Sequence, residues 1–356
     1  MSRHLRAQPL RRRPTVTVVI PCYNYGHYLR TAVDSVLTQP GVEVEVILID
    51  DASPDGSAAV VRQLAAADPR VRPILHRRNL GHIATYNEGL ERARGEHVVL
   101  LSADDALTPG ALARAAALLD AHPSVGFVYG YYQPFEDDPP PVTGRVRNWT
   151  IWAGEEWIER RCASARSCIA SPEVVMRTSV QHAIGGYDAS LPHSGDLEMW
   201  LRAAAISEVG RVNGPPQAYY RVHPHSMMRT TYSDYGFDLE QRLAAFERVL
   251  LDRSGSLPDP ARLHALARRS LAAAALEAAR SACDHGRLGQ EPVEEYMAFA
   301  LRVWPEVRGT RRWRALARAV GAGGGRALGA WGAPARRVLE DLRWRVRWRR
   351  WRWSGV

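Results

Sequence analysis

The chain is 356 residues long and 46% hydrophobic, enough for a sizeable core in one large or two medium domains; its four cysteines (Cys22, Cys162, Cys168, Cys283) lack metal-ligand spacing and fit reduced thiols. The net charge is +9 and every one of the 47 basic residues is arginine, but the excess lies at the ends, in Arg11-Arg12-Arg13 and from Arg311 onward, so the charge does not argue for nucleic acid and no nucleic-acid partner is expected. No apolar run approaches the ~18–20 residues that span a bilayer, and the basic start lacks the apolar stretch of a secretory signal, so the expected location is cytoplasmic, dissolved or peripheral on the inner face of the membrane.

Residues 1–14 read as a disordered, arginine-rich arm. From Thr15 the pattern changes. "TVTVVI" (15–20) is a continuous β-branched run, the mark of a strand buried on both faces. After "PCYNYGHY" a helical spacing follows in Leu29, Val33, Val36 and Leu37. "VEVEVILID" (42–50) is the second strand, and "DASPDGS" (51–57) a turn that opens the next helix. "VRPILH" (71–76) is a third strand, "NEGLERARG" (87–95) ends a helix, and "EHVVLLS" (96–102) is a fourth strand. "TPGALARAAALLDAHP" (108–123) reads as a helix with Pro109 in its first turn, and "VGFVYGYY" (125–132) as a fifth strand.

This alternation predicts an α/β fold with a single doubly wound, mostly parallel sheet. Ligands of such sheets bind beyond the carboxyl ends of the strands. Tyr23-Asn24, Asp50-Asp51, His76, Asn79 and Asp104-Asp105 all follow strands, so they should share one rim. "EDDPPPVTG" (136–144) is a loop, "SPEVVMRTS" (171–179) a short strand, "GGYDASLPHSGDLEMWLRAAA" (185–205) a turn, loop and helix, and "QAYYRVHPHS" (217–226) a strand. Residues 227–320 form a helical extension, 321–334 a flexible glycine-rich linker, and 335–356 an Arg/Trp-rich amphipathic tail helix.

Two adjacent carboxylates at Asp104-Asp105 repel and need a cation or water. One or two carboxylates with phosphate oxygens suit Mg2+ or Mn2+. The competing reading makes Asp105 the cap of the helix near Pro109, with Asp104 solvated. Asp50-Asp51 can accept hydrogen bonds from a base N–H or a ribose hydroxyl, or serve as a loop and cap. Together with the aromatic "PCYNYGHY" they describe a nucleotide site with a metal on its diphosphate.

The runs "TVTVVIPCYNYGHYLRTAVDSVL", "VEVILIDDASPDGS", "GHIATYNEGLERARGEHVVLLSADDAL" and "GGYDASLPHSGDLEMWLRAA" resemble the ordered signatures of the family-2 glycosyltransferases, over about residues 15–226. The resemblance implies an inverting enzyme of the A-type, Rossmann-like nucleotide-sugar-binding fold. It assigns nucleotide contacts to Pro21, Tyr23, Asn24 and Asp51, with Asp50 beside it, and the ribose or the metal to Asp104; Asn79, on the same rim, is a further candidate nucleotide contact. Its Asp-x-Asp element falls on Ser102-Ala103-Asp104-Asp105, which makes Asp105 the leading metal ligand. Asp196 aligns with the catalytic base, preceded by Gly195 where many relatives carry Glu. "YYRVHPHS" resembles a Tyr-Arg-x-His closing element, so Arg221 and His223 would steady the diphosphate or the metal.

The implied reaction moves a sugar, most often from a UDP-sugar, to a hydroxyl of a surface polysaccharide or a lipid-linked glycan. A nucleotidyltransferase of related fold would carry a glycine- and lysine-rich phosphate loop, which "PCYNYGHY" lacks. A silent glycan-binding or scaffold relative would not need Asp51, Asp105 and Asp196. In the tail, Trp344, Trp348 and Trp351 fall on one helical stripe flanked by Arg343, Arg347 and Arg350. That pattern fits an anionic membrane surface, or a helix packed back through Val338, Leu339, Leu342 and Val346.

Overall fold

The computed structural model describes residues 2–224, 226–227, 234–252, 257–285, 287 and 290–321, with positions 342, 346 and 355. The expected linker beyond Gly321 and the tryptophan stripe lie outside the described residues. The chain divides into two compact units, one of Met1–Trp157 with Ser167–Thr230, the other of Ile158–Arg166 with Thr231–Val356.

The first unit is built on a nine-stranded sheet. In chain order its strands are β1 (Arg3–Leu5), β2 (Thr15–Cys22), β3 (Glu43–Asp50), β4 (Val71–Leu75), β5 (His97–Leu100), β7 (Val125–Tyr129), β9 (Asn148–Trp152), β10 (Val175–Arg177) and β11 (Glu208–Asn213). Across the sheet they run β1-β9-β11-β7-β10-β5-β2-β3-β4. The longest ladder, β2 with β3, is parallel, as are β2 with β5, β3 with β4 and β11 with β7. Val16, Val18, Val19 and Ile20 are fully buried, because helices α1 (Gly26–Leu37), α2 (Ser57–Ala67), α3 (His82–Arg92) and α4 (Ala111–Ala121) cover the faces.

The sheet is mostly but not purely parallel: β10 enters antiparallel between β5 and β7, and β9 antiparallel beside β11. Three expectations change. A second, three-stranded sheet joins β6 (Ala106–Leu107), β12 (Ala218–Arg221) and β8 (Tyr132–Phe135). The arm is not wholly disordered: β1 pairs antiparallel with β9, and Arg3 is bound to Glu208 at 2.6 Å. Helix α4 starts two residues after Pro109, at Ala111, because Gly110 takes a left-handed φ of 75°.

Helix α5 (Gly154–Ser164) carries the chain across the boundary between the units. In the second unit, α8 (Tyr235–Glu247) and α9 (Pro260–Asp284) follow the first unit's α6 (Thr178–Ile184) and α7 (Gly195–Ile206). Asp234 and Asp259 cap them by accepting backbone N–H bonds. Helix α9 packs on α8, on α10 (Val293–Val303) and on α11 (Arg311–Gly321).

Candidate active site

The sequence-predicted polar groups do meet at the carboxyl ends of the parallel strands, and hydrogen bonds tie their loops together. The turn after β3 clamps the loop after β2: Asn24 N–H donates to Ser53 Oγ (3.0 Å) and Gly26 N–H to Asp55 Oδ2 (3.3 Å). Asn24 sits at φ 61°, a region asparagine tolerates better than most residues. Pro21 stands opposite Ile49, one pair before the ladder ends at Cys22 and Asp50, and Tyr23 is nearly half exposed (46%). Asp50 is buried; its Oδ2 accepts from Ser53 N–H at 3.3 Å, and its Oδ1 has no hydrogen-bond partner among the described residues.

Asp51 is more committed than its motif suggests. Its Oδ1 accepts Leu80 N–H (2.8 Å) and meets His76 Nδ1 (2.7 Å), and its Oδ2 accepts Gly81 N–H (2.9 Å). The carboxylate therefore ties down the loop just ahead of α3 from another part of the chain. Asn79 is exposed and turned locally, its Oδ1 accepting Gly81 N–H.

The second acid pair splits. Asp105 is buried and accepts Arg221 N–H (2.9 Å); it caps no helix. Burial, and then the charge of Asp104, hold the Asp105 carboxyl well above the usual range. Asp104 instead faces His223, with Oδ2 3.0 Å from Nε2. Asp104, not Asp105, thus offers a carboxylate oxygen beside an imidazole nitrogen, a donor set that fits Mg2+ or Mn2+ completed by phosphate and water. Among the described residues no group of three or more His, Cys, Asp or Glu could hold a metal by itself. The rings of Tyr25 and Tyr28 pack against His223, which joins the first loop to this corner.

Arg221 does not present itself to a diphosphate as expected. Its Nε donates to Asp104 O, and its Nη1 to Glu136 O and Asp137 O, while the guanidinium lies over Tyr28 and Phe135. It braces the 136–137 loop and the backbone of Asp104.

Asp196 stands in the first turn of α7, partly buried. Its Oδ1 accepts from Tyr187 OH and its Oδ2 from Ser171 Oγ, both at 2.7 Å. Burial raises its pKa, against the opposing pull of those two hydroxyls and of His193 and His82. Glu198 points elsewhere and pairs with Arg202 at 2.7 Å. Tyr187 is fixed in turn by Asn87, which bonds its backbone at both N–H (2.6 Å) and C=O (2.9 Å). A Cβ at Gly195 would lie 2.9 Å from the Tyr187 ring, so glycine belongs where this tyrosine holds the aspartate. Sequence reasoning missed Tyr187 and Ser171; the tyrosine of "GGYD" nine residues before Asp196 was the available signal.

An α/β sheet with two acid pairs beyond its parallel strands, and an aspartate held in the first turn of α7, has the architecture of a ligand-binding domain. Residues 17–168 match the family described as Glycosyl transferase family 2. The succinoglycan biosynthesis protein ExoO of Rhizobium meliloti is 41% identical over 108 residues, 30% of each chain, so the chain spans less than a third of that relative's length. Among solved structures, S. aureus TarS 1–349 in complex with UDP-GlcNAc superposes with TM-score 0.60 at 17% identity, over 87% of this chain and 92% of TarS. The mannosyltransferase PcManGT of Pyrobaculum calidifontis, in complex with GDP-Man and Mn2+, superposes with TM-score 0.52 at 20% identity, over 85% and 89%. These structures share the fold. Among the described residues no helix is long and apolar enough to cross a membrane.

Proposed function

We propose that the chain is an inverting glycosyltransferase that moves a sugar from a nucleotide diphosphate, a UDP-sugar first, to a hydroxyl of a polysaccharide or lipid-linked glycan. The observation that carries this reading is Asp196, partly buried, raised in pKa and gripped at both oxygens. A carboxylate poised in this way takes the proton of an acceptor hydroxyl as that oxygen attacks the anomeric carbon. The bond from that carbon to the phosphate oxygen breaks, and the nucleoside diphosphate departs from the opposite face.

Residues 15–226 carry the reaction on this reading. Asp51 Oδ2, with one protein donor, receives the base; Asp50, Pro21, Tyr23 and Asn24 line the same end. Asp104 and His223 are the residues that would hold Mg2+ or Mn2+, which supplies neutralisation of the charge on a departing diphosphate. Helix α11 buries Leu316 and Ala319 and exposes Arg311, Arg314 and Arg318 along one stripe. That stripe, with the Arg/Trp composition of 335–356, supports an anionic membrane surface as a neighbour of the C-terminal extension.

The test is a panel of nucleotide sugars, with and without Mn2+, read by thermal shift. A donor at about 100 times its Kd adds about 2.7 kcal/mol to stability. NMR of the product then reads the anomeric configuration. No shift with any UDP- or GDP-sugar in the presence of Mn2+ would overturn the proposal.

A further inference from the structure

His76 lies one residue beyond β4, its N–H donating to Asp50 O (2.9 Å). Its side chain is 7% exposed. Nδ1 is 2.7 Å from Asp51 Oδ1, and Nε2 is 2.8 Å from Glu88 Oε2. A neutral imidazole has one N–H and cannot donate to both; an imidazolium can. The charged groups facing the ring are Asp51, from the turn after β3, and Glu88, from α3; Glu88 in turn holds Arg92 at 2.7 Å through Oε1. Burial alone would lower the proton affinity of the ring, but the two carboxylates outweigh it and raise it above the usual imidazole range.

We propose that His76 is a positioning residue for the nucleotide donor: bridging Asp51 and Glu88 as an imidazolium, it fixes the carboxylate that receives the base, so that donor affinity follows its proton. The inference rests on the reading of Asp51 as the base acceptor. The three donors on Asp51 differ in kind. Leu80 N–H and Gly81 N–H are backbone groups that keep their protons, and the His76 contact is the one that pH can break. When the ring loses a proton, one of its two carboxylates loses its donor, and Asp51 is held by the loop alone.

The experiment titrates UDP, and GDP in parallel, with Mn2+ into the wild-type protein and into His76→Gln by calorimetry, from about pH 6 to about pH 9. Wild-type affinity is expected to fall as pH rises. His76→Gln is expected to bind roughly tenfold more weakly at the acid end and to lack the slope. A wild-type affinity flat with pH overturns the proposal without any variant, as does His76→Gln with wild-type affinity and slope. If the wild type binds neither nucleotide, the donor reading itself has failed and this inference falls with it.

Discussion

The two rims of the large sheet handle charge in opposite ways. At the amino-terminal rim the charges of Arg12, Glu96, Asp120 and Arg177 are met within the protein. Arg12 pairs with Glu96 and Asp120 at 2.6 Å, and Thr15 Oγ1 accepts Glu96 N–H. Arg177 donates to the carbonyls of Leu119 and Val125, and Thr17 Oγ1 accepts Gly95 N–H. At the carboxyl rim, four aspartates stand in two adjacent pairs, one of them forced toward its neutral form and another, Asp50, with a buried oxygen that has no hydrogen-bond partner among the described residues. The first rim is finished; the second holds negative charge that a cation and a hydrogen-bonding ligand would satisfy. Buried charge without a partner is costly, so a fold keeps it where binding supplies the partner.

The sharpest way to break the contrast is Asp196→Asn. The amide keeps the shape and can still meet Tyr187 and Ser171, but it cannot take a proton. Transfer should fall by roughly 10²- to 10⁴-fold, the usual contribution of a general base, while the donor-induced rise in melting temperature persists. Turnover within threefold or so of wild type would move the base elsewhere.

At the finished rim the weak point is acid. His97 begins β5, is buried, and neither ring nitrogen has a hydrogen-bond partner among the described residues. Burial, and then the charge of Arg177, lower its pKa to about 4. The unfolded chain protonates near the usual ~6.5, so it gains the proton first as pH falls. The stability of the neutral buried ring is complete above about pH 6.5 and is lost as pH drops to about 4, a difference of about 3 kcal/mol. Urea unfolding of wild type and His97→Phe across that range should show the loss in the first and a flatter profile in the second. Equal slopes would assign the acid sensitivity to other groups.

The parallel strands were readable because burial on both faces writes them as unbroken apolar runs, and the acids after Asp50 and Leu101 interrupt those runs visibly. What the sequence hid is set by distant partners. Whether Asp104 or Asp105 faces outward depends on the backbone N–H of Arg221, 116 residues away in the second sheet. Strand β6 is two residues long and carries no period of its own. The edge strand Arg3–Leu5 has no alternation to announce it, and it exists because β9 offers an open edge. His76 became informative only when α3 brought Glu88 to its far side.

The smallest effect belongs to the same finished rim. Arg12 is bonded to both Glu96 and Asp120, yet its side chain is 48% exposed. The two carboxylates raise its already high pKa, which changes nothing near neutrality. Solvent screens such pairs, and they are worth about 0.2–1 kcal/mol. Arg12→Ala should therefore lower the melting temperature by about 1–3 °C at low salt and by less at about 0.5 M salt, where the Debye length is only a few ångströms. Donor binding at the opposite rim should not change. A loss of several kcal/mol would mean that the segment before β2 holds the sheet by more than these contacts, and the two rims would then differ less than their hydrogen bonds indicate.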